Sequence, residues 1–295
     1  MRTAVIIPAR NEEHSISTCL RSVIAQHDSL RPGQSVQIVL AANGCSDKTA
    51  DAARALIGEA AEHGIDLTVL DLAEGGKTRA LNAAEAETDA DALVYLDSDV
   101  TIEAGMLAAL GKALDTDQPR YASGTPELVH GDNWVTRKYS ETWKNLPFVA
   151  DGVSGCGLYA TNKAGRARWD AWPEILSDDK FIRLNFEPDE RVQVSPRFFW
   201  PVPEGFSALV RARTRWCKGN TQVEGLYPDL QDFNDSRKMP LSAAFGLLLK
   251  RPVSLTVFTT IYFIAKVKAA WSKDAKNNWS GGAERSGIAG SSSGM

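Results

Sequence analysis

Short apolar runs alternate with stretches of helical periodicity over the first 115 residues, and this alternation limits the possible folds. Apolar side chains recur at helical spacing after the first run, as at Ile16, Leu20 and Val23. Repeated strand and helix units with uninterrupted apolar strands predict an α/β fold, in which helices cover both faces of a mostly parallel central sheet. Four strands are predicted, at 3–9, 36–42, 66–72 and 91–100, and one helix is predicted over 46–64.

The fourth predicted strand ends on two carboxylates, in the sequence ALVYLDSDV (92–100). Ligands bind at the carboxyl ends of strands in sheets of this kind. In an extended segment Asp97 and Asp99 lie on one face with Cα atoms about 7 Å apart. Their oxygens suit Mg²⁺ or Mn²⁺ shared with a substrate phosphate. The alternative is structural, with Asp99 or Thr101 capping a helix that begins near Glu103.

Charge is unevenly distributed along the 295 residues. The formal net charge of −4 divides into −10 for residues 1–237 and +6 from Lys238 onward. A basic tail on an acidic body predicts an anionic membrane surface as a neighbour. No basic stripe interleaved with aromatics runs through the body, which argues against nucleic acid. Four cysteines without metal-type spacing, and a start that does not read as a signal peptide, predict reduced thiols in the cytoplasm.

The predicted organisation has three parts. Residues 1–237 form the main domain, with halves at about 1–118 and 119–237, residues 238–278 form basic and apolar helices, and residues 279–295 are disordered. The uncharged run Val253–Ala265 has 13 residues, fewer than the roughly 20 needed to cross a bilayer. Helices lying on a membrane surface or docking on a partner are therefore favoured, with plain core or a true span as alternatives.

Six blocks give the chain a family resemblance. In their order and rough spacing they resemble the motifs of family-2 glycosyltransferases with the GT-A (Rossmann-like) fold. The resemblance covers about residues 3–220, and its specificity comes from the agreement of all six blocks. They are VIIPARNEE (5–13), ANGCSDKTAD (42–51), GKTRALN (76–82), YLDSDV (95–100), SDDKF (177–181) and RARTRW (211–216).

The resemblance implies roles for individual residues. Asp99 is implied as the direct ligand of Mn²⁺ or Mg²⁺, with Asp97 beside it. Asp179 is implied as the catalytic base, with Asp178 as its acidic neighbour. The residues assigned to the sugar nucleotide are Pro8, Arg10, Glu12, Asn43, Lys77, Asp97 and Asp99. Those assigned to the acceptor and the diphosphate are Gly155, Arg213, Arg215 and Trp216.

Structural alternatives stand beside these roles. SDDKF also reads as a helix start, with Ser177 as the cap and the aspartates at the positive end of the helix dipole. Trp216 also reads as a core aromatic, although Trp143, Trp200 and Trp216 are all candidates to stack on sugar rings.

Two departures from the family pattern matter. Ala42 and Asn43 stand where the family often has Asp-Asp, which leaves the nucleotide open. Ala212 replaces the glutamine of the family's Q-R-x-R-W segment, which weakens any inference to processive polymerisation.

The sequence thus predicts a metal-dependent, inverting glycosyltransferase. It would move a sugar from a nucleoside-diphosphate sugar to a saccharide or lipid-linked acceptor, at the cytoplasmic face of the plasma membrane. A sugar-nucleotide nucleotidyltransferase is an alternative, but it should carry a glycine-rich basic loop where PARNEE stands (8–13). A non-catalytic scaffold that binds sugar nucleotides or membranes is the other alternative.

Overall fold

The computed structural model describes residues 1–150, 153–235, 246–247 and 249–271. Within this part of the chain the strands are β1 (Arg2–Ala9), β2 (Ser35–Asn43), β3 (Asp66–Leu72), β4 (Ala92–Leu96), β5 (Thr101–Ile102), β6 (Tyr121–Val129), β7 (Leu158–Asn162) and β8 (Arg191–Pro201). They form one eight-stranded sheet in the order β3-β2-β1-β4-β7-β6-β8-β5.

The first half of the sheet is parallel. Strands β1, β2, β3 and β4 all run in the same direction. Val5 and Ile7 of β1 belong to one hydrophobic core and Ala4 and Ile6 to another, so the sheet is buried on both faces. This confirms the predicted α/β architecture. The helices of this half are α1 (Ile16–Ile24), α2 (Thr49–Arg54), α3 (Ile57–Glu62) and α4 (Lys77–Glu85).

One helix prediction in this half was wrong. The single helix expected over 46–64 is divided into α2 and α3, and the chain leaves helical geometry at Leu56, whose side chain is buried in the core. Asp47 lies just before α2, where its carboxylate accepts hydrogen bonds from the backbone N–H of Thr49 (3.0 Å) and of Glu13 (3.1 Å). Asp47 therefore ties the loop after β1 to the start of α2.

The second half of the sheet is mixed. Strand β7 is antiparallel to both β4 and β6, β6 is parallel to β8, and β5 is antiparallel to β8. Because β4 pairs directly with β7, the two predicted halves of the main domain share one sheet. The helices here are α5 (Met106–Leu114), α6 (Trp134–Trp143), α7 (Pro147–Ala150), α8 (Lys163–Arg166) and α9 (Asp178–Leu184).

Two long helices complete the described structure, α10 (Phe206–Leu226) and α11 (Pro252–Trp271). Helix α11 packs on α6 and α10, burying Phe258 and Ile261, and the Phe258 ring stacks on Tyr139 with centroids 5.0 Å apart. Its other face leaves Phe263 and Trp271 exposed, at 69% and 84%. Among the described residues it is the one helix long and apolar enough to cross a membrane, with a mean hydropathy of 1.4.

Helix α11 confirms the apolar C-terminal helix expected from the sequence. The predicted disordered tail at 279–295 lies outside the described residues.

Candidate active site

The carboxyl end of β4 meets the start of two helices at a partly buried ion cluster. Lys77, the first residue of α4, places its Nζ 2.8 Å from Oδ1 of Asp97, which follows β4, and 2.9 Å from Oδ2 of Asp178, the first residue of α9. Three motif blocks far apart in the sequence thus meet at one ammonium group. We call Lys77, Asp97, Asp178 and Asp179 the edge cluster.

Lys77 is held in its charged form. Burial opposes the charge, but the carboxylates of Asp178 and Asp97 outweigh burial and raise the pKa of Lys77 above its usual value. With its side chain 16% exposed, the ammonium is placed to attract a negatively charged group arriving at the sheet edge.

The segment that carries Asp97 and Asp99 differs from the predicted extended ending. A hydrogen bond from the Val100 N–H to the Asp97 carbonyl (3.0 Å) closes a turn over Ser98 and Asp99. The alternative role for Asp99 is also wrong, because residues 101–102 form β5 and helix α5 begins only at Met106, with Gly105 as its N-cap. Both aspartates are partly exposed at the end of β4.

Asp97 and Asp99 could supply part of the coordination shell of a divalent cation, together with a bound ligand. Asp97 and Asp99 offer the carboxylate oxygens that Mg²⁺ and Mn²⁺ prefer. Among the described residues, however, no group of three or more His, Cys, Asp and Glu side chains is arranged to hold a metal. The remaining coordination positions would have to come from a diphosphate and water.

Asp178 and Asp179 occupy the first turn of α9, with Ser177 as N-cap residue but without a side-chain capping hydrogen bond. The helix-start reading of SDDKF is therefore confirmed, and it is compatible with a chemical role. Asp178 is 3% exposed, and its Oδ2 accepts a hydrogen bond from the Tyr159 hydroxyl (2.5 Å) in addition to the contact with Lys77. Burial and the neighbouring Asp178 carboxylate raise the pKa of Asp179 to about 6.

The residues predicted to contact the nucleotide occupy two kinds of position. Pro8 is buried within β1 opposite Ala41, and Glu12 is 7% exposed, with its carboxylate accepting a hydrogen bond from Ser15 Oγ (2.5 Å). Arg10 is partly exposed beside the loop before α4, where its guanidinium nitrogen lies 3.0 Å from the position a Cβ on Gly75 would take. Arg10 is therefore the one of these three that is partly exposed, and its predicted contact with the nucleotide stays a prediction.

Asn43 has a different role from the predicted one. Its side chain is 0% exposed, and its Nδ2 donates to the carbonyls of Ala9 (2.9 Å) and Ala41 (3.2 Å), while its Oδ1 accepts from the Gly76 N–H (2.9 Å). Both polar atoms of the Asn43 side chain are hydrogen-bonded to the backbone of the protein. Asn43 thus fixes the loop before Lys77 and does not present atoms to a ligand.

Gly155 is constrained by the packing beneath it. Its φ is +67°, and a Cβ at this position would lie 1.8 Å from the Tyr121 hydroxyl oxygen. A residue with a side chain therefore requires both a strained backbone and a displaced tyrosine. The structure accounts for this glycine by packing alone, and its predicted place near an acceptor stays a prediction.

The aromatic residues predicted to bind sugar pack against one another. Trp143 and Trp200 are 4% and 6% exposed, and their ring centroids are 4.9 Å apart, with Trp216 5.3 Å from Trp143. The predicted stacking of Trp143 and Trp200 on sugar is wrong, because both side chains are buried. We call Trp143, Trp200, Trp216, Tyr139 and Phe258 the aromatic cluster.

Arg213 belongs with this cluster. Its guanidinium carbon lies 5.1 Å from the ring centroid of Tyr262 and 5.6 Å from that of Phe258, both on α11, and 5.8 Å from that of Trp216. It therefore docks α11 onto α10 through cation–π contacts, and does not stand free for a diphosphate. Arg215 is partly exposed on α10, and its predicted role stays a prediction.

Sequence reasoning missed Tyr159. It lies in β7, where every residue is buried, and so reads as an ordinary core aromatic. The available signal was chemical, since a buried phenol usually has a hydrogen-bond partner.

The family model described as "Glycosyl transferase family 2" matches residues 4–171. Among curated proteins, the chain is 31% identical over 163 residues to undecaprenyl-phosphate 4-deoxy-4-formamido-L-arabinose transferase of Edwardsiella ictaluri, covering 53% of this chain and 48% of that protein. It is 27% identical over 146 residues to glycosyltransferase AglD of Haloferax volcanii, covering 48% of this chain and 21% of that protein. The chain thus spans less than half the length of each of these two relatives.

Solved structures show the same fold. The mannosyltransferase PcManGT of Pyrobaculum calidifontis, in complex with GDP-Man and Mn²⁺, superposes with a TM-score of 0.66 at 19% identity, over 92% of this chain and 88% of that one. TarS 1–349 of S. aureus has a TM-score of 0.51 at 16% identity, over 94% and 76% of the two chains. Since the family model covers more than half of the sequence and the architecture is that of GT-A enzymes, the chain belongs to glycosyl transferase family 2.

Proposed function

We propose that this chain transfers a glycosyl group from a nucleoside-diphosphate sugar to an acceptor hydroxyl, with inversion at the anomeric carbon. The observation that carries the proposal is the edge cluster, in which Lys77 joins Asp97 and Asp178 by contacts of 2.8 and 2.9 Å. It lies where ligands bind in sheets of this type, at the carboxyl end of a parallel strand. Membership of a glycosyltransferase family supports the reaction class.

The chemistry requires one base and one displacement. The acceptor oxygen attacks the anomeric carbon from the face opposite the diphosphate, the bond from that carbon to the diphosphate oxygen breaks, and the diphosphate leaves with the electron pair. Asp179 takes the proton of the acceptor hydroxyl. A base with a pKa of about 6 is ionised at neutral pH and close enough to neutrality to accept a proton effectively.

Two groups of this chain meet the diphosphate in this proposal. Lys77 retains its positive charge and attracts the departing anion. Asp97 and Asp99 would hold Mn²⁺ or Mg²⁺, and such a cation neutralises the charge that develops on the diphosphate. The complex of PcManGT with GDP-Man and Mn²⁺ supports this choice of cofactor and donor class.

The proposed acceptor is a saccharide or a lipid-linked saccharide at the cytoplasmic face of a membrane. Helix α11 supports this location, because its outer face exposes Val253, Phe263 and Trp271 at 50%, 69% and 84%. Lys266 and Lys268 lie exposed on the same helix and would attract anionic headgroups. The name of the undecaprenyl-phosphate transferase relative supports a lipid-linked substrate.

A donor screen tests the reaction. Calorimetric binding and hydrolysis of nucleoside-diphosphate sugars are measured with Mn²⁺ or Mg²⁺ on the wild type, Asp99→Ala and the control Asp89→Ala. Asp89 is an exposed carboxylate at the opposite end of β4, paired with Lys163. We expect metal-dependent binding by the wild type and the control, and its loss in Asp99→Ala. Absence of metal-dependent binding of every donor by the wild type would remove the basis of the proposal.

Liposome partitioning tests the membrane location. Phe263→Asp should lower the bound fraction on vesicles of phosphatidylglycerol and phosphatidylcholine, because it places a charge on the apolar face of α11. Ile57→Asp is the matched control, since Ile57 is an exposed apolar residue (42%) on α3. Equal binding by Phe263→Asp and the wild type would contradict a membrane role for α11.

A further inference from the structure

One carboxylate oxygen of Asp178 is in contact with two hydrogen-bond donors. Its Oδ2 lies 2.9 Å from Lys77 Nζ and accepts a hydrogen bond of 2.5 Å from the Tyr159 hydroxyl. Both Asp178 and Tyr159 are almost fully buried, at 3% and 2% exposed. A buried carboxylate that is contacted by both an ammonium and a phenol is held in one orientation. At 3% exposure, Asp178 presents almost no surface to a substrate hydroxyl.

Tyr159 is itself held rigidly. It lies directly opposite Tyr95 in the antiparallel pair of β4 and β7, and the two rings stack with centroids 4.9 Å apart. Burial and the Asp178 carboxylate raise the pKa of Tyr159 well above its usual value, so its hydroxyl stays a donor at neutral pH. The phenol thus presents its proton to Asp178 from a fixed point in the sheet.

Asp179 has a different environment although it is adjacent. It is partly exposed, and its Oδ1 accepts a hydrogen bond from the Lys180 backbone N–H (2.7 Å). The direction of the Asp179 side chain depends on the first turn of α9, which Asp178 anchors to Tyr159 in the sheet and to Lys77 in α4. If Asp178 moved, the backbone of the adjacent Asp179 would move with it.

We propose that Tyr159 is a positioning residue of the transfer reaction, which together with Lys77 fixes the orientation of the buried Asp178 carboxylate and so places the neighbouring Asp179 as the base. The inference rests on the proposed glycosyl transfer. The two acidic residues then have different roles: Asp178 anchors the start of α9, and Asp179 contacts the acceptor.

A pair of matched variants tests it. Tyr159→Phe removes one hydroxyl from the edge cluster, and Tyr95→Phe removes one from the facing residue, whose hydroxyl donates instead to Glu85 Oε1 (2.7 Å). We expect Tyr159→Phe to lower kcat about 10- to 100-fold, because it removes a hydrogen bond to a charged group. The donor KM should stay within about twofold, and Tyr95→Phe should retain the wild-type kcat.

A double-mutant cycle identifies the route of the effect. If Tyr159 acts through Asp178, then Tyr159→Phe should change kcat by less than about twofold in an Asp178→Asn background. Equal multiplicative effects in both backgrounds would overturn the inference. Thermal melting shows whether Asp178→Asn folds. If it does not, the kcat values of Tyr159→Phe and Tyr95→Phe still decide whether the Tyr159 hydroxyl contributes to transfer.

The outcomes separate this inference from the function on which it rests. A wild type that transfers sugar, with Tyr159→Phe as active as Tyr95→Phe, would overturn the positioning role alone. A wild type that transfers no sugar from any donor would overturn the proposed function and this inference with it.

Discussion

The edge cluster and the three tryptophans of the aromatic cluster were expected to contact substrate, and their surroundings in the structure differ. In the edge cluster, charged side chains from α4, from α9 and from the turn after β4 meet, with Lys77 between Asp97 and Asp178. In the aromatic cluster, Trp143 and Trp200 are buried in contact with each other, and Arg213 lies against the rings of α11. Whether a motif residue can contact substrate therefore depends on how much of it is left exposed. The partly exposed charges of the edge cluster can meet a ligand, whereas the buried rings of Trp143 and Trp200 are structural.

The largest expected effect comes from removing the cation of the edge cluster. Lys77→Met leaves the carboxylates of Asp97 and Asp178 close together without their ammonium, and breaking a buried ion pair costs about 3 kcal/mol. Urea unfolding should therefore show a clear drop in the free energy of unfolding. Lys180→Met is the control, because its partner Glu224 is 51% exposed, and pairs of this kind contribute about 1 kcal/mol or less. Similar losses in both variants would contradict a special stabilising role for the edge cluster.

A smaller loss is expected at Asn43. Asn43→Asp turns a donor that serves the Ala9 and Ala41 carbonyls into a buried carboxylate facing them, which costs about 1–3 kcal/mol. Since Asn43 also accepts from the Gly76 N–H, donor affinity should fall together with stability. Thermal unfolding and donor titration measure the two effects. An aspartate variant as stable as the wild type, with a changed nucleotide preference, would show that position 43 contacts the base.

The pH dependence of transfer should reveal Asp179. Its raised pKa means that the base is protonated below about pH 6, so kcat should fall as the pH is lowered through that value. Well below it, the fall should approach about tenfold per pH unit. A pH profile of kcat at saturating donor tests this expectation. A flat profile from pH 5 to pH 7 would exclude Asp179 as the base.

The smallest expected effect lies in the aromatic cluster. Arg213→Gln removes cation–π contacts with Tyr262 and Phe258, which are worth about 1 kcal/mol in total at a partly exposed site. We expect a slightly lower melting temperature and unchanged kinetic constants for the donor. A large increase in the acceptor KM without loss of stability would instead return Arg213 to the acceptor site.

The sequence predicted the parallel strands and the aspartates after β4, because apolar runs and closely spaced carboxylates are local properties. It did not predict the contact of Lys77 with Asp178, because that contact depends on how the sheet brings α4 and α9 together. Asn43 was misread because an amide at a strand end looks the same whether it serves a ligand or the backbone. The stacking role of Trp143 was misread for a similar reason, since burial of a ring is set by distant helices.

We propose that glycosyl transfer takes place at the edge cluster with Asp179 as the base. The direct measurement is single-turnover transfer by the wild type and Asp179→Asn, with donor binding titrated on the same preparations. We expect donor affinity within about twofold of the wild type and transfer slowed about 10²- to 10⁴-fold, the range of general-base catalysis. The variant should also be more stable at pH 7, because burial disfavours the ionised carboxylate. Transfer at the wild-type rate by Asp179→Asn would contradict the claim.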